Sequence, residues 1–477
     1  MGKKIEKNKN SFIKKLKKIN IDLFDLVIFF LPIISFGYVW YVYFPGALTF
    51  DSYNQLSQIK ELTFTAGHPL VHTLLELFLL KIWNNPAVIG LFQILTFSVI
   101  WTVICKYNRR DKKGEIVGLF QILITFFICI NPFNTIHSIT LWKDILYSYS
   151  ILLLSFLFQI IIERKFILKD REIIFTAFIL VLIPNLRHNG LIIFLGCFVV
   201  LTLLLLVRNF RNKNWIKLIF FTLSFFIFFK IPTKILIPET SSMTSLFYYK
   251  VLHLTADYYH KGVFIQEEKE FLTTFINLED FSLYYNPYFT DPILNVGVDQ
   301  EGYIMNESKL KLILLKKSLE KPRYFLDYLG NSTVILWKIN LPADVVGTVL
   351  TTGYDASNNI DDIQQIHADE HIFQEYNEYI NRISSNKIMR IVFFNPAFYL
   401  YLSLVVVLLG FLTKVLKISY FLILLPNLLN LLGLVISIPV QDARYVYASF
   451  LVGYLTIVIL ISRAIINKKF GQKVKCH

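Results

Sequence analysis

Apolar residues in this chain gather in long runs, each near the roughly 20 residues that cross a bilayer as a helix, parted by short polar or basic stretches. The runs lie at 23–44, 86–107, 116–133, 141–162, 173–184, 190–207, 215–237, 391–412, 418–438 and 445–466. They predict an all-α polytopic membrane protein with about ten transmembrane helices. The stretch 69–83 breaks the series. It follows His68 and offers roughly 14 residues, short for a span. Were it to cross, the run 86–107 would end outside with Lys106, Arg109, Arg110, Lys112 and Lys113, against the bias that keeps Lys and Arg cytoplasmic. Laid along the outer surface as an interfacial helix anchored by Trp83, it lets the later spans alternate so that every basic cluster between them falls inside. Both termini are then cytoplasmic.

This layout divides the chain into a basic cytoplasmic tail (1–22), a transmembrane module (23–237) with its first outer loop at 45–85, an extracytoplasmic domain (238–390), a second transmembrane module (391–466) and a basic tail (467–477). Eight lysines among the first twenty residues and no small-residue cleavage site indicate a retained anchor. Segment 238–390 is too long for a simple connection. Its Tyr-rich stretch at 284–288, amphipathic stretch at 307–320 and apolar run at 324–339 predict a small, mostly helical cap whose last helix touches the bilayer.

Composition agrees: 55% of the residues are hydrophobic and 44 are Phe. A net charge of +14 would by itself invite a nucleic-acid reading. The charge is segregated, however: 238–390 holds 21 acidic and 13 basic residues, a net −8, which leaves +22 on the rest. Acidic outside and basic inside is a topology signal, so no nucleic-acid partner is expected. The cysteines, Cys105, Cys129, Cys197 and Cys476, lie in or beside apolar runs or at the C-terminus, and imply no disulfide framework.

Candidate chemistry clusters at the outer boundary. Asp51, Gln55 and Gln58 stand at i, i+4 and i+7 on one polar helical stripe, with Leu56, Ile59 and Leu62 on a separate apolar one. Asp51 is either a helix cap or a proton-transfer carboxylate. His68 and His72 stand four apart, but Pro69 leaves His68 on the turn before the helix, and a zinc site needs a third ligand. Lys143 and Asp144 follow Trp142 at the outer end of a span and point about 100° apart. Lys143 can snorkel; Asp144 needs a partner such as Arg187 or Arg444. Arg187, His188 and Asn189 fill a turn between spans. Asp442, Arg444 and Tyr445 open the last span, where the helix dipole opposes a cation by about 0.3–1 kcal/mol. Either Asp442 or a ligand phosphate offsets that. Ionisable groups at membrane depth cost roughly 2.5–3.5 kcal/mol each, which makes them functional candidates.

The strings Phe44-Pro45-Gly46 to Gln55, Gly67-His68-Pro69 to Thr73, Leu141 to Asp144, Arg187 to Gly190, Tyr285-Asn286-Pro287-Tyr288 with Asp291-Pro292, and Asp442 to Tyr445 resemble a bacterial branch of the GT-C superfamily of polyprenyl-phosphate-sugar glycosyltransferases. Protein O-mannosyltransferases and lipid A aminoarabinose transferases belong to that superfamily. The mannosyltransferases usually carry two adjacent acidic residues in the first loop; here Asp51 is followed by Ser52. The resemblance implies a donor of undecaprenyl-phosphate sugar reached from the outer leaflet of the bacterial cytoplasmic membrane, and a glycan, lipid or protein acceptor. It implies Asp51 as general base, cations that stabilise the departing phosphate, and Asp144 as a second carboxylate, orienting a cation or holding a divalent metal if one is used. Gln55, His68, His72, Lys143, Arg187, His188, Asn189, Asp442, Arg444 and Tyr445 would bind substrate. A lipid or polysaccharide transporter is the alternative and calls for paired broken helices and internal symmetry. A non-catalytic scaffold for envelope assembly is the third reading.

Overall fold

The computed structural model describes residues 22–109, 114–237, 248–294, 298–342, 345, 369–438 and 440–473. The expected tails, apart from Asp22 and 467–473, lie outside these residues, as do Arg110, Lys112, Lys113 and most of 343–368. Among the described residues every regular element is a helix. Seven are long and apolar enough to cross a membrane: Leu23–Val42, Ala87–Asn108, Lys143–Glu163, Gly190–Arg208, Asn214–Leu236, Ile418–Ser437 and Ala443–Ile466. Two bent pairs raise the number to nine if each is one span. The chain is therefore a multi-pass membrane protein, with seven to nine candidate spans among the described residues.

The one short helix and the two bends are written locally. The expected span 173–184 sits in Asp170–Leu186, whose 17 residues reach about 26 Å at about 1.5 Å per residue, the short end of spanning length; Glu172 near its start pairs with Arg164, just past Lys143–Glu163, and Arg187 at its end pairs with Asp144, so it runs from one end of the bundle to the other. The run 116–133 stops at Ile130, and Pro132–Ile139 turns away by 70°. Asn131 caps the second piece by accepting from Phe133 N, and Pro132 occupies its first turn, where no N–H is needed. Asn395-Pro396 repeats the device: Lys387–Phe394 and Pro396–Leu412 meet at 68°, and Asn395 accepts from Phe398 N.

The surface helix Leu70–Ile82 has 13 residues. The chain leaves the first span at Val42 and starts the next at Ala87, whose carbonyl accepts from Trp40 Nε1 at 3.1 Å. Both ends of the 43–86 loop thus lie at one end of the bundle, and the helix within it is not among the candidate spans. Lys143–Glu163 is the central helix, nearly all buried, whereas Asn214–Leu236 buries only Asn214, Leu218 and Thr222. At the opposite end Arg109 pairs with Asp22 and Asp25, and Arg463 with Glu163 at 2.7 Å.

Segment 248–337 has its own core, including Leu252, Tyr258, Phe281, Ile293 and Leu310. The amphipathic stretch lies in Gln300–Glu320, and the apolar run 324–339 divides into Pro322–Ser332 and Val334–Trp337. Gln441, fully buried, ties this domain to the bundle: its Oε1 accepts from Ile335 N at 3.0 Å and its Nε2 donates to Asn331 O at 3.2 Å.

One strap joins the first loop to the central helix. Ala47 N donates to Ile139 O and Leu141 N to Ala47 O, both at 3.1 Å. Ser52 Oγ donates to Leu141 O at 2.9 Å, and Trp142 Nε1 to Thr49 Oγ1 at 2.7 Å. Gly46 lets the two chain segments approach. Its φ is +132°, and a Cβ there would lie 2.7 Å from Leu141 Cδ1 and 3.0 Å from Ile139 O.

Candidate functional site

Helix Phe50–Glu61 starts at Thr49, and Ser52 Oγ accepts from Thr49 N at 3.1 Å. The end of the helix is thus closed without Asp51. The carboxylate is left to a residue 393 positions away: Asp51 Oδ2 accepts from Arg444 Nη1 at 2.8 Å. Arg444 also holds Asp442 Oδ2 through Nε at 3.0 Å and donates from Nη2 to Tyr445 OH at 3.0 Å. Asp442 caps the short 3-10 turn Ala443–Val446 by accepting from Arg444 N at 2.9 Å. Arg444 is therefore offset by two protein carboxylates, the expected Asp442 and, beyond the expectation, Asp51.

A second ion pair lies beside the first. Arg187, which ends helix Asp170–Leu186, donates to Asp144 Oδ1. The Tyr445 ring is 4.0 Å from the Arg187 guanidinium and 4.9 Å from that of Arg444, so one aromatic face serves each cation. The Asp144 side chain is 1% exposed, and its Oδ2 has no hydrogen-bond partner.

Lys143 is different. Its Nζ sits 3.1 Å from His68 Nδ1 and it pairs with no carboxylate among the described residues. Burial and the neighbouring Lys143 push His68 down to about 4, so at neutral pH the imidazole facing Lys143 Nζ is uncharged. Burial pushes Asp51 up, but Arg444, Lys143 and His68 outweigh it and hold the carboxyl below its ordinary value. Asp442 is shifted upward, burial prevailing over Arg444.

The amides of the expected polar stripe turn elsewhere. Gln55 is buried, with Nε2 3.1 Å from His72 Nδ1 and donating to Thr73 Oγ1 at 3.2 Å. Gln58 bridges Asn54 and Thr65 N. His188 Nε2 lies 3.2 Å from Ala66 O and pins the loop before His68. Asn189 precedes the helix at Gly190 without a side-chain capping bond. The structure thus assembles Asp51, Asp442, Arg444 and Tyr445 in one group, Asp144 with Arg187, and Lys143 with His68. It sends Gln55 and His72 inward.

Two residues were not picked out as site candidates. Glu76 is 2% exposed, with Oε1 3.6 Å from His72 Nδ1 and Oε2 unpartnered; its signal was a lone acid four residues after a histidine on an apolar helix. Asp291, from segment 248–337, lies within electrostatic reach of Arg444, Asp51 and Asp442. Among the described residues no three His, Cys, Asp or Glu side chains group as metal ligands.

An apolar cavity of about 710 Å³ runs below the charged groups. Leu146 and Leu153 of the central helix line it, with Val71 and Leu75 of the surface helix and Leu186 next to Arg187. Leu146 is one helical turn from Lys143.

The buried pair gives a pH prediction. Burial raises Glu76 to about 8 and lowers His72 to about 3. Between about pH 6.5 and 8 the histidine is neutral in both states, while Glu76 is protonated folded and ionised unfolded. Stability therefore falls as pH rises through that window, by at most about 1.4 kcal/mol per pH unit. Glu76→Gln should flatten this slope in thermal melts of the detergent-solubilised protein. An unchanged slope would show that another group carries it.

Compared with family models, curated proteins and solved structures, the chain has no match.

Proposed function

We propose that the protein is a membrane glycosyltransferase that moves a sugar from a polyprenyl-phosphate donor to an acceptor hydroxyl. The observation that carries this reading is the amphiphilic layout: a lysine that pairs with no carboxylate among the described residues stands one helical turn from an apolar cavity, within electrostatic reach of Asp51. A lipid phosphate places its anion at Lys143 and its tail along Leu146, Leu153 and Leu75. The acceptor oxygen then attacks the sugar's anomeric carbon and its proton passes to Asp51. The bond from that carbon to the phosphate oxygen breaks, and the electron pair leaves with the polyprenyl phosphate, beside Lys143. Arg444 orients Asp51, and Arg187 neutralises Asp144. These roles refine the resemblance to GT-C enzymes, in which both arginines were assigned to the phosphate. On this reading the site faces outward from the bacterial cytoplasmic membrane, both termini are cytoplasmic, and 248–337 belongs to the extracytoplasmic domain.

The two Asn-Pro bends are the observation that favours a transporter. Asn131 and Asn395, however, spend their side chains capping the second piece of each pair, and Asn131 also donates to Tyr454 OH at 3.1 Å. The charged pairs lie elsewhere. The test compares extracted lipid-linked sugars and envelope glycans in cells with and without the gene. The expected result is accumulation of a polyprenyl-phosphate sugar and loss of that sugar from an envelope component. Identical pools in the two strains would overturn the reading.

A further inference from the structure

We infer that helix Gln300–Glu320 carries a second, outward apolar face that docks on an anionic bilayer surface beside the bundle. The inference stands apart from the transferase reading and holds for any activity of the bundle. At about 100° per residue, Tyr303, Leu310 and Leu314 share one side of this helix, and all three are buried in the core of segment 248–337. Ile304, Leu312, Leu315 and Leu319 fall within an arc of about 80° on the opposite side, with Met305 at its edge. These five side chains are 57% to 82% exposed. A helix that packs on one face needs one apolar stripe. The second contributes nothing to the core, and a contiguous row of large apolar side chains marks a contact surface.

Charge and position name the occupant. By the same helical spacing Lys311 flanks the stripe on one margin, and Lys309 and Lys316 flank it on the other. Lysines on both margins let their stems lie along apolar surface while the ammonium groups meet lipid headgroups. Residues 300–323 hold six of the 13 basic residues of 238–390 and only three of its 21 acidic ones, so this basic patch is local to an otherwise acidic segment. A second copy is a poor occupant, because it would set lysine margin against lysine margin. The nearby acids Glu307 and Glu320 already pair with Lys311, Lys316 and Lys317 of their own helix. The bilayer is also close. Pro322–Ser332 follows directly and, with 11 residues, is only about 16 Å long. It leads to Trp337, 45% exposed, whose carbonyl accepts from Tyr401 OH at 2.5 Å. Tyr401 belongs to Pro396–Leu412, part of a candidate span, and Trp and Tyr together are the side chains that favour a membrane boundary.

The test uses the full-length protein with Cys476→Ser, one copy per nanodisc; Cys105, Cys129 and Cys197 are buried and escape labelling. A bimane fluorophore is attached at Leu315→Cys, and its quenching by nitroxide-labelled lipid is measured. Val405→Cys, exposed on Pro396–Leu412, is the lipid reference. Glu267→Cys is the water reference, on the helix that meets the other side of Gln300–Glu320 through Glu268 and Lys317 at 3.1 Å. In nanodiscs of mixed phosphatidylglycerol and phosphatidylcholine, Leu315→Cys should be quenched like Val405→Cys and unlike Glu267→Cys. Adding Lys309→Gln and Lys316→Gln should lower the ratio of docked to undocked helix about 5-fold per lysine, the worth of one cation at an anionic surface. Pure phosphatidylcholine should act in the same direction. Quenching at Leu315→Cys no greater than at Glu267→Cys overturns the inference. Equal quenching in both lipids, or no effect of the lysine changes, overturns the anionic surface as the partner. A label shielded from aqueous iodide yet not reached by the lipid nitroxide also overturns the inference, by assigning the stripe to a protein contact. If Leu315→Cys fails to fold, Leu312→Cys on the same stripe decides by the same comparison.

Discussion

Asp51→Asn should cut sugar transfer by about 10²–10⁴-fold, the usual worth of a positioned general base, while the protein is made and inserted normally. The amide has the shape of the carboxylate and can still accept from Arg444 Nη1, so the 2.8 Å contact survives as a neutral-acceptor bond. Arg444 also keeps Asp442. The lost property is the ability to take a proton. Asn54→Ala on the same helix is the control: Asn54 is exposed and accepts only from Gln58 Nε2 among the described residues, so activity should be retained. The measurement is transfer to envelope acceptors alongside membrane-fraction expression. Wild-type activity in Asp51→Asn would remove Asp51 as the base.

The second large effect concerns folding. Arg187→Ala strands Asp144, whose side chain is 1% exposed and already has one unpartnered oxygen. Breaking a buried ion pair from one side costs about 3–5 kcal/mol, because the remaining charge has nowhere to go. Arg187→Ala should therefore melt well below wild type in detergent. The paired replacement Arg187→Met with Asp144→Leu should recover most of that stability, since an apolar pair of similar volume needs no compensation. Its transfer activity should nevertheless stay low, because Asp144 flanks Lys143. Full activity in the paired variant would assign both residues to structure alone.

Much of this was legible along the chain. Span lengths, the basic clusters and the short surface helix follow from local runs of apolar residues and from where lysines stand relative to them. The two bends were also written locally, as Asn-Pro at 131–132 and 395–396, although hydropathy alone ran through both.

The site was legible as a set of residues but not as a set of pairs. That Asp51, Lys143, Asp144, Arg187 and Arg444 cluster at span ends follows from topology, because hydrophobic runs leave charged residues only at their termini. Which carboxylate meets which cation does not, because the partners of Asp51 and Arg444 are 393 residues apart and their contact depends on how helices pack sideways. Thr49 and Ser52 taking over the helix end, Gln55 turning inward to His72, and Lys143 remaining without a carboxylate were all decided at that level. So was the apolar cavity below Lys143, which the surface helix and Asp170–Leu186 help to form. The sequence by itself determined a helical membrane protein and the chemistry gathered at the span ends. The tertiary structure decided which charges cancel and which remains, since pairing depends on distances between helices that no local pattern encodes.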